Sequence, residues 1–169
     1  VPSTPNIKMR GDMLSEQAGV EDGQSEWGSY LLYRDDLPER LAQKLDRKRT
    51  WEKTKDGRGV VMISSGTDCY QDRRAAQITR GCVIELVKHE KPVRILTRSP
   101  AVVRDIDVFK AANGLVTVGS SIPCLDDEKV RSIEPGAPAP SARLDALEEI
   151  SNAGVPVYVS MSPTYPTQD

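Results

Sequence analysis

The sequence is poor in histidine, phenylalanine and cysteine, carries little net charge, and has no long apolar run. Its 169 residues include one His, one Phe and three Cys. The single histidine, His89, closes a predicted helix, and in a βα unit that end lies opposite the mouth where chemistry collects. This disfavours a Ser–His–Asp hydrolase built on Ser65 or Ser121, because the base would stand at the wrong end. Favourable charge–dipole contact at a helix C-terminus accounts for His89 instead. The cysteines, Cys69, Cys82 and Cys124, are odd in number and widely spaced. That excludes a disulfide framework and suits a reducing compartment. Their spacing also cannot put three thiolates on one loop, so none of them is assigned as a metal ligand. A formal net charge of −2 gives no whole-molecule attraction to nucleic acid or anionic lipid. Without a membrane-length apolar run or a signal-peptide pattern, no membrane partner is expected and a cytoplasmic location is the default.

What the sequence does contain is alternation. Short apolar strands are predicted at Tyr30–Tyr33, Val60–Ile63, Val93–Leu96, Val116–Val118 and Val155–Val159. Between them lie helical stretches at Pro38–Arg47, Arg74–His89, Val102–Ala112, Asp126–Ile133 and Ser141–Asn152. The order Asp36-Leu37-Pro38-Glu39 supplies a cap, an early proline and an acid three residues on, which reads as a helix start. Asn113-Gly114 and Gly154 are helix stops. Such alternation implies parallel strands joined by right-handed crossovers. No dinucleotide glycine fingerprint follows the first strand, which favours a barrel over a Rossmann sheet. A complete eight-unit barrel takes about 250 residues, so the expected fold is α/β, a partial TIM-like (β/α) barrel incomplete at both ends. Residues 1–28 read as a polar loop and residues 29–169 as central βα units. The chain opens on Val1 and ends just after a strand, and so reads as a piece of a longer protein.

Several strands are apolar until their last residues and then turn polar: Ser64-Ser65-Gly66-Thr67-Asp68, Thr97-Arg98-Ser99, Gly119-Ser120-Ser121 and Ser160-Met161-Ser162. Three segments together resemble the radical S-adenosylmethionine superfamily, in the spore photoproduct lyase or DNA repair photolyase-like subgroup. They are Ser65-Gly66-Thr67-Asp68-Cys69-Tyr70-Gln71, then Leu96-Thr97-Arg98-Ser99-Pro100 with Arg104-Asp105-Ile106-Asp107, then Ser121 through Glu134-Pro135-Gly136-Ala137-Pro138 to Arg143-Leu144. Ala153-Gly154-Val155-Pro156 with Ser162-Pro163 continues the pattern in order.

That resemblance implies a cofactor pair, S-adenosylmethionine and a [4Fe–4S] cluster that cleaves it reductively to begin radical chemistry on a substrate, here unknown. The cluster ligands of the family form a C-x3-C-x2-C loop, which this sequence lacks; they are expected upstream of Val1. The parent protein is then the enzyme, and this piece alone is expected to be inactive. Carried over residue by residue, Thr67 and Asp68 lie at a strand end near the cofactor. Arg98 takes the place of a lysine on the methionine carboxylate, where a guanidinium can bind bidentately. Ser121 supplies a hydroxyl facing the cofactor, and Ser162 lies near the adenine. Glu134 and Arg143 are expected to form an ion pair at the barrel mouth. Ser65 stands where lyases of that subgroup carry a hydrogen-donating cysteine, which disfavours thymine-dimer repair.

Each assignment has a structural alternative. Thr67 and Asp68 would serve equally to cap the following helix, and Arg98 to pair with Asp105 or Asp107. Cys82 fits a core helix face, with Cys69 and Cys124 as loop thiols. The stretch Lys44–Arg58 is rich in Lys and Arg around Trp51, and the alternative function is a cluster-free α/β module binding nucleic acid through it. A solvated helix C-terminus explains the same charges.

Overall fold

The computed structural model describes residues 16, 18–23, 25, 26, 29–47, 59–64 and 67–166. By its internal contacts the chain divides after Asp35, into Val1–Asp35 and Asp36–Asp169. In the first unit the segment predicted as a strand, Tyr30–Tyr33, is not one. A short apolar run becomes a strand only when a ladder partner exists, and here the Tyr30 hydroxyl donates to the carbonyl of Gly23 (2.7 Å) instead.

The second unit begins with α1 (Leu37–Leu45), with Pro38 in its first turn and Lys44 in its last. Asp36 stands at the N-cap position, but its side chain accepts no cap hydrogen bond; its carboxylate lies 3.6 Å from Arg40, one turn on. Four strands follow, β1 (Val61–Ile63), β2 (Val93–Thr97), β3 (Val116–Ser121) and β4 (Val157–Ser160). They form one parallel sheet in the order β1-β2-β3-β4. It is an open α/β sheet of four described strands where five were expected. The crossovers are α2 (Arg73–Lys88), then a 3₁₀ turn (Pro100–Asp105) with α3 (Ile106–Ala111), then α4 (Asp127–Ile133) with α5 (Pro140–Asn152). The single helix expected over 102–112 is thus a 3₁₀ turn followed by a short α-helix.

Alternation along the strands assigns two faces. Val93, Ile95, Val116 and Val118 are buried in one cluster with Val83 and Leu86 of α2, Phe109 of α3, and Leu147 and Ile150 of α5. Each such fully buried aliphatic side chain contributes about 1.5–3 kcal/mol over its exposed state. The opposite face carries Met62, Arg94, Gly119 and Tyr158. Gly119 is the register partner of Tyr158, and a Cβ on Gly119 would collide with the face of the tyrosine ring. The ring therefore lies flat across β3, its hydroxyl donating to the carbonyl of Ile95 (3.2 Å) and the Arg94 guanidinium stacked 3.9 Å above its centre. At the end away from the site, Gly114 and Gly154 take φ of +85° and +83° where helices turn back into strands, a conformation glycine adopts without strain. Among the described residues no helix is long and apolar enough to cross a membrane.

Candidate functional site

The polar ends of β1 to β4 converge on one open cavity of about 260 Å³. Thr67, Asp68, Arg98, Ser121 and Ser162 all line it, with Ser64, Leu96 and Thr97. Two larger hollows lie elsewhere, of about 470 Å³ beside His89–Lys91 at the opposite end of the sheet and 570 Å³ along α5 and β4. The strand-end hydroxyls gather only at the smaller one.

Asp68 is the staple of this mouth. One carboxylate oxygen accepts from the Thr97 hydroxyl (2.6 Å) and the Tyr70 amide (2.9 Å), the other from the Arg98 amide (2.7 Å). It joins the loop after β1 to the end of β2. It does not cap the next helix: Asp72 does, accepting from the amides of Arg74 (2.8 Å) and Ala75 (2.9 Å). Thr97 passes the connection on, since its carbonyl accepts from the buried Ser120 hydroxyl (2.7 Å) of β3. Ser64, at φ +81°, folds the loop after β1 by donating to the Thr67 carbonyl (2.6 Å) and accepting from the Cys69 amide (2.8 Å). Such a non-glycine residue in the left-handed region marks a constrained loop beside a site. Among the described residues the side chains of Thr67, Ser121 and Ser162 make no hydrogen bond with protein, so their hydroxyls are open to a ligand.

Arg98 does not pair with Asp105 or Asp107. Those carboxylates are taken by Arg80, whose guanidinium reaches Asp105 at 2.9 Å and Asp107 at 2.7 Å. Tyr70 donates to the other oxygen of Asp105 (2.8 Å). The Arg80 hydrogen bonds hold the Asp107 carboxyl down to about 2. Burial, with the Asp105 charge beside it, keeps the Tyr70 hydroxyl protonated. Arg98 instead lies 3.3 Å from Glu134 and keeps 44% of its side chain exposed. Glu134 also meets Arg143 at 3.0 Å, so the pair expected at the mouth is present. Arg143 is fully buried and spends its other nitrogens on the carbonyls of Ser121 (2.7 Å) and Pro138 (2.7 Å). Tyr165, which the sequence did not single out, donates to Glu134 (2.8 Å). Burial would raise the Glu134 carboxyl, but the hydrogen bonds from Tyr165 and Arg143 and the Arg98 charge bring it below its ordinary value.

None of the three thiols lines the cavity. Cys82 and Cys124 are buried and Cys69 half-buried; burial pushes Cys69 and Cys82 up to about 11. Among the described residues no group of three or more His, Cys, Asp and Glu is arranged to hold a metal ion. His89 ends α2 at the opposite end of the sheet, contacting the Glu85 carbonyl (2.8 Å) and Asp46 (2.9 Å). Of the basic stretch Lys44–Arg58, residues 48–58 lie outside the described residues, as does Ser65.

A model of the family described as Radical SAM superfamily matches residues 27–169. An uncharacterized protein of Methanocaldococcus jannaschii is 28% identical over 141 residues, which cover 83% of this chain and 49% of that protein. One of Acidianus two-tailed virus is 30% identical over 143 residues, 85% of this chain and 45% of that protein. One of Mycobacterium tuberculosis is 30% identical over 123 residues, 71% of this chain and 35% of that protein. The chain thus spans half or less of the length of these relatives. No solved structure matches it.

Proposed function

This chain belongs to the radical S-adenosylmethionine superfamily, and on that premise we propose that its strand-end cavity binds S-adenosylmethionine in the service of radical chemistry on a substrate yet to be identified. In the superfamily generally, that cofactor and a [4Fe–4S] cluster together supply the radical. The observation that carries the reading is the convergence of an arginine and three unengaged hydroxyls, from the ends of β1, β2, β3 and β4, on one cavity.

In this reading Arg98 receives the methionine carboxylate. Thr67 and Ser121 offer hydroxyls to the amino-acid or ribose groups, and Ser162 lies toward the adenine. Asp68 acts at the ligand's edge through the Arg98 amide and the Thr97 hydroxyl it fixes. The cavity is below the roughly 300–1,000 Å³ of whole small-molecule pockets, so it encloses one end of the ligand. The Glu134-Pro135-Gly136-Ala137-Pro138 stretch with Arg143-Leu144 supports placement in the photolyase-like subgroup. Within it, Ser65 argues against thymine-dimer repair, because a serine O–H bond is too strong to quench a carbon radical.

The test is Arg98→Glu. Calorimetric binding of S-adenosylhomocysteine should be lost in the variant, together with 5′-deoxyadenosine production in the cluster-bearing protein. Unchanged binding and unchanged production would sink the assignment.

A further inference from the structure

Resting on the reading that a ligand carboxylate meets Arg98, we infer that Glu134 is the positioning residue of the site, setting the Arg98 guanidinium for bidentate capture of that carboxylate. Glu134 is itself held from three sides. Its amide donates to the Val130 carbonyl (2.7 Å) at the end of α4, and one carboxylate oxygen takes the Arg143 hydrogen bond (3.0 Å). Its other oxygen takes the Tyr165 hydroxyl (2.8 Å). Arg143 cannot yield, because it is fully buried and engaged by Nε and both Nη atoms. The carboxylate is therefore a fixed object, 14% exposed, against which a more mobile arginine rests.

Arg98 touches it with Nη2 alone, at 3.3 Å, longer than the 2.7–2.9 Å of a tight charge-assisted bond. Among the described residues its Nε and Nη1 have no partner, so a ligand carboxylate can pair with either of them together with the second hydrogen of Nη2, sharing that nitrogen with Glu134. Asp68, the other carboxylate beside Arg98, is spent on the Arg98 amide, the Thr97 hydroxyl and the Tyr70 amide, so Glu134 is the carboxylate that meets the Arg98 guanidinium. The same residue also fastens two other parts of the cavity. Through Arg143 it is tied to the Ser121 carbonyl at the end of β3. Through Tyr165, whose amide bonds to the Pro123 carbonyl (3.0 Å), it is tied to the segment that carries Ser162.

The experiment compares wild type with Glu134→Gln and Glu134→Asp, using S-adenosylhomocysteine, which has the carboxylate, and 5′-methylthioadenosine, which lacks it. Positioning predicts that Glu134→Gln weakens S-adenosylhomocysteine by about tenfold or more. It should leave 5′-methylthioadenosine within about twofold, with partial rescue in Glu134→Asp. If Glu134 only dilutes the positive field, its neutralisation tightens the carboxylate ligand; if it only supports the fold, both nucleosides weaken alike. Either result overturns the inference. Nitrogen-15 NMR of the arginine side chains, with Arg98 assigned through Arg98→Lys, adds a measurement on wild type. The Arg98 Nε signal should move with S-adenosylhomocysteine while that of Arg143 stays; no movement of Arg98 in a protein that binds the ligand also overturns it. A wild type that binds neither nucleoside, yet whose Arg98 signal responds to Glu134→Gln, defeats the proposed function and upholds the positioning of Arg98 by Glu134.

Discussion

The two ends of the parallel sheet use polar residues in opposite ways. Where helices turn back into strands, the chain closes on itself locally. The Glu90 amide bonds to the Val87 carbonyl, Leu115 to Ala112 and Gly154 to Ser151, each three residues back. At the mouth, besides short turns at Ser64 and Asp68, bonds join residues far apart in sequence: Thr97 to Asp68, Ser120 to Thr97, Arg143 to Ser121, Tyr165 to Glu134. The first kind of closure ends elements, whereas the second kind fixes one strand end relative to the next and leaves chosen hydroxyls unspent. Neither end of a parallel sheet has a hairpin partner, so the polar groups of its loops are satisfied either within the loop or across to the next strand end.

The comparison is broken most severely by Arg143→Met. Deleting a buried guanidinium takes the buried charge partner from Glu134 and leaves two carbonyls unsatisfied, and should cost about 3–5 kcal/mol. Urea denaturation measures it, and a loss under about 1 kcal/mol would show that the mouth is not cross-linked through this residue. Next comes Asp68→Ala, which removes the acceptor for three donors at once. A loss of about 2–3 kcal/mol is expected, with weakened S-adenosylhomocysteine binding, while Asp72→Ala, at a helix cap outside the cavity, should cost about 1 kcal/mol and leave binding intact.

Gly119→Ala tests the sheet between the two ends. The Tyr158 ring has to leave the β3 backbone, at about 1–3 kcal/mol. Most of that should be recovered in the double variant with Tyr158→Leu, a coupling that a thermodynamic cycle reads directly.

The smallest effect belongs to the end away from the mouth, where His89 at the end of α2 meets Asp46 at the end of α1. The hydrogen bond with Asp46, then that with the Glu85 carbonyl, raises His89 above its ordinary value. A group raised on folding stabilises below its unfolded value of about 6.5 and loses that contribution as pH climbs through the folded one. Wild type should therefore lose a little stability between pH 6 and 8, about 0.5 kcal/mol or less for so exposed a pair. His89→Gln should be flat over the same range, and a parallel decline in both proteins would exclude His89 as the source.

Legibility in the sequence followed this same division. The helix stops at Asn113-Gly114 and Gly154 and the buried strands Val93–Leu96 and Val116–Val118 were readable because periodicity and turn chemistry act over a few residues. Asp36 reads as a capping side chain and accepts no cap bond, and the capping alternative for Thr67 and Asp68 is not realised, because several polar side chains sit at the right offset and only the fold selects Asp72. Tyr30–Tyr33 carried the composition of a strand but has no ladder. The pairing of Arg80, rather than Arg98, with Asp105 and Asp107 depends on how α2 packs beside α3, and no spacing rule contains that.

What the sequence determined by itself is the α/β alternation, its superfamily, and the polarity of the strand ends, since each is encoded in short-range pattern or in quoted motifs. The tertiary structure alone decided that Thr67, Asp68, Arg98, Ser121 and Ser162 share one cavity, which of these spend their polar atoms on the protein, and that Glu134 stands between two arginines and Tyr165. Hydrogen-bond partners separated by twenty or more residues are chosen by packing geometry, and that geometry exists only once the parallel strands have fixed their register.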